Sequence, residues 1–301
     1  MPTNRPQPPR PHPRPARLYT LGPAGTFSDQ AAQRLRAHLA AQAATASGAG
    51  GVPPPVEYTR TIPEVLDRTE ADPDALGVFP IESSDVGTVL FAQDSLVKHK
   101  VTLEWELNVR VRFALLVNAP LPQVRRVLSQ PVAYEQCTDY LAAHLPAATV
   151  AFTTSNIESG RQFLAQAAGE PLAAVVPLDF GAAHAEHRAA EDIQTLAYNT
   201  TRFLVARAAP GPVDYDFSRF KTSVLIEPEE DRPGLLYDLL SVFKRHDLNL
   251  CRLESRPARV RPWTYVFFID FNNNAHTATA LAELRQGDRK ITVLGSYDRL
   301  E

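Results

Sequence analysis

Between Leu18 and Arg207, short apolar runs alternate with stretches long enough for helices. Few architectures accept that alternation, because each apolar run must be buried in a sheet and each helix must cover a sheet face. The runs at Leu18–Leu21, Leu76–Ile81, Val124–Leu128, Ala148–Phe152, Ala173–Val176 and Phe203–Ala206 are expected to be strands of an α/β fold. Helices are expected from Asp29 to about Ala44, from Thr88 to about Val97, from Pro131 to about His144 and from Asp179 to Ala190. Ser155 and Glu158 have the spacing of a capping box, which starts a further helix running to about Ala168. Val109–Val117 first alternates apolar with charged residues and then becomes wholly apolar, as a long strand crossing into a second lobe would.

The pattern changes after Ala206. A linker at 208–218, broken by proline and glycine, precedes a strand at Lys221–Glu227 and a helix from Asp231 to about His246. Strands at Asn249–Ser255 and Trp263–Phe271, a helix at His276–Gln286 and a strand at Lys290–Leu294 complete a βαββαβ order, which is ferredoxin-like.

Composition bounds the function. The chain has 301 residues, 22% of them charged, and a formal charge of −3, so there is no basic excess for nucleic acid. No apolar run approaches the ~20 residues of a membrane helix. Residues 1–16 alternate Pro with Arg, His and Gln, the composition of a disordered tail; they lack a secretory signal, so a cytoplasmic location is expected. Cys137 and Cys251 lie far apart outside any CxxC, and the histidines form no HExxH. Reduced thiols and no metal are expected.

Polar residues collect at a few strand ends. Asn199-Thr200-Thr201-Arg202-Phe203 brings an amide, two hydroxyls and a guanidinium to one mouth of the sheet, where they suit a small anion; spacing alone favours an ordinary strand entry with Arg202 in a surface ion pair. Glu82, Ser83, Ser84 and Asp85 follow a buried strand, where open α/β sheets place ligands and where helix caps also occur. The glycine turn Gly22–Ser28, containing Thr26, presents backbone N–H groups at a helix start or simply connects two elements.

Several of these stretches together resemble the prephenate dehydratase family. Leu21–Ser28 resembles its LGPxGTFS, Val78–Ser84 with Gly87 its VxPIENSxxG, Ser129–Cys137 its SHPQxxxQC, and Asn199–Phe203 matches its NxTRF. Pro233–Leu236, Glu254–Pro257 and Leu294–Tyr297 resemble motifs of the family's C-terminal ACT domain. The likeness runs from about Leu18 to Tyr297. Departures are Ser83 for Asn, Gln130 for His, Val132 for Gln, Thr195 for Asp, and no tyrosine-glycine signature in Phe180–His187.

The resemblance implies a two-lobed, periplasmic-binding-protein-like catalytic domain at 17–207, with lobe one at 17–102 plus 193–207 and lobe two at 103–192, and an ACT regulatory domain at 219–301. It implies decarboxylative dehydration of prephenate to phenylpyruvate without a cofactor, with L-phenylalanine as feedback ligand. Thr201, Gln136, Ser129 and Ser83 become catalytic candidates. Glu82, Thr26, Thr154, Ser155, Asn199, Arg202 and Phe203 become substrate-binding candidates, although strand alternation turns Arg202 away from Thr201's face. Pro233, Gly234, Leu235, Leu236, Asn249, Glu254, Ser255, Arg256 and Pro257 become effector-site candidates, shared between ACT domains of a homodimer or homotetramer. The departure at Ser83 leaves two alternatives, an arogenate dehydratase and a catalytically silent phenylalanine sensor.

Overall fold

A computed structural model describes residues 15–47, 52–166, 168–258, 264–286 and 289–301. Most of the Pro/Arg-rich tail, part of the glycine-rich loop and Trp263 lie outside the described residues. The elements up to the first crossing are β1 (Arg17–Leu21), α1 (Phe27–Ser47), β2 (Val56–Thr59), α2 (Ile62–Ala71), β3 (Ala75–Ser83), β4 (Gly87–Thr88), α3 (Leu90–Leu96) and β5 (Val101–Arg110). Then follow β6 (Phe113–Val117), β7 (Arg126–Ser129), α4 (Pro131–Gln136), α5 (Thr138–His144), β8 (Thr149–Phe152), α6 (Asn156–Gln166), β9 (Leu172–Pro177), α7 (Leu178–Ala183), β10 (Arg188–Glu191) and β11 (Thr200–Ala208). The C-terminal part comprises β12 (Lys221–Pro228), α8 (Leu235–Arg245), β13 (Leu250–Pro257), β14 (Tyr265–Asn272), α9 (Thr277–Leu284) and β15 (Arg289–Leu300).

Two sheets organise the molecule. One has ten strands in the order β13-β14-β12-β15-β5-β11-β3-β1-β2, with β4 beside β3; the other has five, β10-β6-β9-β7-β8. The smaller sheet forms a separate lobe, whose central strand β9 is buried on both faces and reads as a continuous apolar run. Its two cores include Phe113, Val175 and Leu141 on one face and Phe163, Leu128 and Val176 on the other.

The larger sheet passes without a break from the N-terminal lobe into the ferredoxin-like part. β15 was expected to stop at Leu294 but continues to Leu300. Its first half pairs antiparallel with β12 and its second half pairs parallel with β5, at Asp298↔Trp105 and Leu300↔Leu107. Gly295 stands at the handover. A Cβ there would lie 2.5 Å from Leu103 Cβ and 2.6 Å from its carbonyl oxygen, so any larger residue would push the two strands apart.

Three other expectations need correction. The strand expected at Val109–Val117 is two strands in different sheets, because Val111 N–H donates to Asn199 O at 2.8 Å and Arg112 pairs with Asp192 where the chain crosses between lobes. β5 therefore stays in the first sheet, and the crossing lies at Val111–Arg112 instead of near Leu103. The helix expected over Pro131–His144 is divided at Cys137, where Gln136 O accepts Thr195 N–H at 2.8 Å and the Thr138 hydroxyl donates to Tyr134 O and Glu135 O. The helix expected over Asp179–Ala190 ends at Ala183; Arg188–Glu191 instead pairs antiparallel with β6, whose edge offers the backbone partners. Finally, β2 and α2 occupy a stretch to which the apolar pattern assigned nothing.

Candidate active site

A cavity of about 340 Å³ opens between the two sheets. The first lobe lines it with Phe27, Ser28, Ser83, Thr88, Thr201 and Phe203, among others; the second contributes Phe113, Gln130, Ala133, Gln136 and Asn156. Thr201 is placed by the sheet register, directly between Ser83 of β3 and Val109 of β5. Gln136 reaches the cavity from the last turn of α4 and is 6% exposed. The structure therefore brings Thr201, Ser83, Gln136 and Phe203 to one space.

Local hydrogen bonds explain the placement of the remaining candidates. Ser83 Oγ accepts the N–H groups of Asp85 and Val86 at 3.3 and 3.4 Å, which uses its lone pairs and leaves its proton to be donated into the cavity. Ser129 is fully buried, donates to Gln130 O at 3.1 Å and lies behind the wall rather than on it. Gln130, at the family's histidine position, caps α4 by accepting Ala133 N–H at 3.0 Å. Thr26 donates to Pro23 O at 2.9 Å and accepts Asp29 N–H at 3.3 Å, so it shapes the turn from which Phe27 and Ser28 reach the cavity. Ser155 accepts Glu158 N–H at 3.1 Å as the capping box requires, and Thr154 is exposed beside it. The side chain that enters the cavity here is the next one, Asn156, whose buried Oδ1 has no hydrogen-bond partner among the described residues.

Asn199 is not among the residues that line the cavity. It is fully buried at the interlobe crossing, and both atoms of its amide lack a partner among the described residues.

Arg202 points away from the cavity. Its guanidinium forms an ion pair with Asp270 of β14 and lies 3.7 Å from Glu106 Oε2 and from Glu82 Oε2, so Glu82 too faces this cluster. Lys221 Nζ donates to both oxygens of the fully buried Glu106 at 2.9 and 2.7 Å. Ser223 Oγ lies 2.6 Å from both Asp270 Oδ1 and Tyr297 OH. Burial alone would raise the Asp270 pKa, but Arg202 and Arg252 beside it hold it below the usual carboxylate value. Burial likewise opposes the Arg202 charge, but Asp270, Tyr297 and Glu106 together outweigh it, keeping the guanidinium ionised. Tyr297 is pushed well above the ordinary phenol pKa, chiefly by burial. The buried charges thus join the strand of Thr201 to the C-terminal part.

The effector candidates divide between two faces of the C-terminal sheet. Leu235 and Leu236 pack on the α8 side with Val224, Ile226 and Phe267. Gly234 holds φ +80 in an exposed turn at the start of α8. Glu254 and Arg256 alternate with Ser255 along β13 and turn to the opposite face, where Glu254 accepts from Thr88 at 2.9 Å and Arg256 donates to Asp94 at 3.0 Å. Asn249 O accepts Asn272 N–H at 3.0 Å, which anchors the entry to β13, and Pro257 ends that strand opposite Tyr265.

A two-lobed α/β cleft that carries hydroxyls and amides, continuous with a ferredoxin-like fold, defines the class: a two-lobed α/β protein that takes a small polar molecule between its lobes. Residues 18–210 match the profile of the family Prephenate dehydratase, and residues 229–286 that of the ACT domain. The chain belongs to the prephenate dehydratase family. It is 30% identical over 285 residues to the prephenate dehydratase of Methanocaldococcus jannaschii, spanning 93% of this chain and 97% of that one. Against the prephenate dehydratase of Mycolicibacterium vanbaalenii it is 32% identical, over 92% of this chain and 89% of the relative. The prephenate dehydratase of Arthrobacter aurescens, solved in complex with L-Phe, superposes with a TM-score of 0.75 at 27% identity, covering 94% of this chain and 89% of that one. Relatives of this kind are carbon–oxygen lyases.

Proposed function

We propose that the cleft converts prephenate to phenylpyruvate by losing the ring carboxylate as carbon dioxide while the ring hydroxyl departs from the opposite carbon. Aromatisation drives the reaction, so the protein's work is to align the two breaking bonds and to ease the departure of hydroxide. Thr201 donates its proton to the leaving oxygen. A threonine hydroxyl is a weak acid, so it acts as a positioned donor whose alignment comes from the β3 and β5 strands on either side. Ser83 and Gln136 donate to the substrate from opposite lobes. Asn156, at the N-terminus of the 11-residue α6, offers an amide and the positive end of that helix to a substrate carboxylate. Aromatic Phe27, Phe113 and Phe203 give the ring its apolar surroundings.

The single observation that carries this is the convergence of Thr201, Ser83 and Gln136 from three separate motifs on one cavity. Replacing Thr201 by Val keeps the shape and removes the proton; kcat is expected to fall ~100-fold or more with the fold unchanged. Near-normal turnover would refute the donor assignment.

The protein works in the cytoplasm, and L-phenylalanine bound to paired ACT domains regulates it. Two features support pairing with a second copy. β13 is the terminal strand of the ten-stranded sheet. Leu253 and Tyr265 on β13 and β14 are also exposed, at 40% and 42%. Such an edge invites pairing with a second copy, as a dimer or dimer of dimers.

A further inference from the structure

Strand β13 presents two faces. Leu253 and Ser255 are exposed on one; Arg252, Glu254 and Arg256 turn the other way, onto the catalytic lobe. There Thr88 Oγ1 donates to Glu254 Oε2 at 2.9 Å and accepts from Arg252 Nη2 at 3.2 Å. Thr88 is itself part of the cavity wall, together with Val86, Gly87 and Val89. One residue therefore links the substrate cavity to the ACT strand, and its hydroxyl is shared between Glu254 and Arg252. A threonine hydroxyl has one proton and two lone pairs; with the proton given to Glu254 and one lone pair to Arg252, its side-chain rotation is fixed. Arg252 is held as firmly, being only 8% exposed. β4, which carries Thr88, is two residues long and pairs with β3 alone; the flanking bonds from Val86 N–H to Ser83 Oγ and from Val89 N–H to Ile81 O also run to β3, so Thr88 is this wall's tie to the ACT strand.

We propose that Arg252 and Glu254 are positioning residues for the dehydration: from the ACT domain they hold Thr88, and through it the Val86–Val89 wall, against the substrate. The inference rests on the dehydratase reading of the cleft. Neither residue touches the reacting atoms. Their effect passes through the Thr88 hydroxyl.

A double-mutant cycle on the full chain, assayed with prephenate in the absence of phenylalanine, tests this. Thr88→Val removes the shared hydroxyl and Arg252→Met removes the guanidinium while keeping its apolar stem. Each single variant should lower kcat/KM about tenfold, mostly through KM, and the double variant should be no worse than Thr88→Val alone, the signature of residues acting through one contact. Arg252→Lys, whose ammonium can donate to the same oxygen, should recover part of the loss.

Arg252 also lies close enough to Asp270 to stabilise its charge. An effect travelling by that route would be independent of Thr88. Additive losses in the cycle would then overturn the proposal, as would lower thermal stability with unchanged kcat/KM in the single variants. If Arg252→Met fails to fold, Glu254→Leu against Thr88→Val gives the same cycle with the same two outcomes. A wild-type protein with no prephenate turnover would refute the dehydratase reading itself, whereas an active wild type with an additive cycle refutes only the positioning role.

Discussion

Arg202 of β11 forms an ion pair with Asp270 of β14, so the residue that follows Thr201 in the chain is anchored in the ACT domain. The pair is almost dry: the two side chains are 11% and 5% exposed. Removing one charge from such a pair leaves the other buried without its partner, which costs about 3 to 5 kcal/mol. Glu106 and Glu82 remain near Arg202, which puts Asp270→Asn at the lower end, about 3 kcal/mol. Urea unfolding of the two proteins should show that loss, with a midpoint unchanged by the substitution contradicting it.

The handover at Gly295 makes a separate prediction. Gly295→Ala should destabilise by about 1 to 3 kcal/mol, the usual cost of overpacking, because the new methyl would meet Leu103 backbone rather than a side chain that can move. A thermal melt equal to wild type would show that β15 and β5 can separate at no cost.

The crossing between lobes should respond to acid. Asp192 is held below the usual carboxylate range, at a pKa of about 2, first by its hydrogen bond to Arg112. A carboxylate whose folded pKa is depressed contributes stability that is fully present above its unfolded value and is lost as pH falls through the folded value. The wild type should therefore exceed Asp192→Asn in stability near pH 5, and the difference should shrink between about pH 4 and pH 2. A difference that persists unchanged at pH 2 would assign it to packing instead.

Much of this architecture is legible in the chain. The apolar runs at Leu76–Ile81 and Ala173–Val176 are strands because both their faces are buried, and apolar periodicity reports burial directly. α2 escaped the apolar pattern but carries its own signal, Thr-x-x-Glu: Thr61 caps the helix by accepting Glu64 N–H at 3.3 Å, and the Glu64 carboxylate reaches back to Arg60 N–H, one residue before the cap, at 2.9 Å. The break at Cys137 is not readable in this way, since it depends on Thr195, which arrives from a distant part of the chain. The same holds at the site. Thr201, Ser83 and Gln136 stand in motifs and line the cavity, whereas Arg202 and Glu82 stand in motifs and face the ACT domain. Strand alternation after Thr201 indicated the direction of Arg202; its partner Asp270 required the fold. Thr88 and Asn156 each follow a motif residue, Gly87 and Ser155, by one position, and only the fold shows that they line the cavity.

Glutamine at position 136 offers a narrower test of the cleft. Its backbone carbonyl holds Thr195 whatever the side chain is, so Gln136→Leu should fold normally while losing the proposed hydrogen bond to substrate. A loss of ~10-fold or more in kcat/KM is expected, in line with one hydrogen bond to a charged group. Unchanged kinetics would remove Gln136 from the site.

The most direct measurement is phenylpyruvate formation from prephenate by the purified full-length protein at neutral pH, with and without L-phenylalanine, beside an arogenate control and an enzyme-free blank. Turnover of prephenate that phenylalanine suppresses is the predicted result. Phenylalanine binding with no turnover of either substrate would contradict it, leaving a sensor in which Ser83 and the other departures have silenced the cleft.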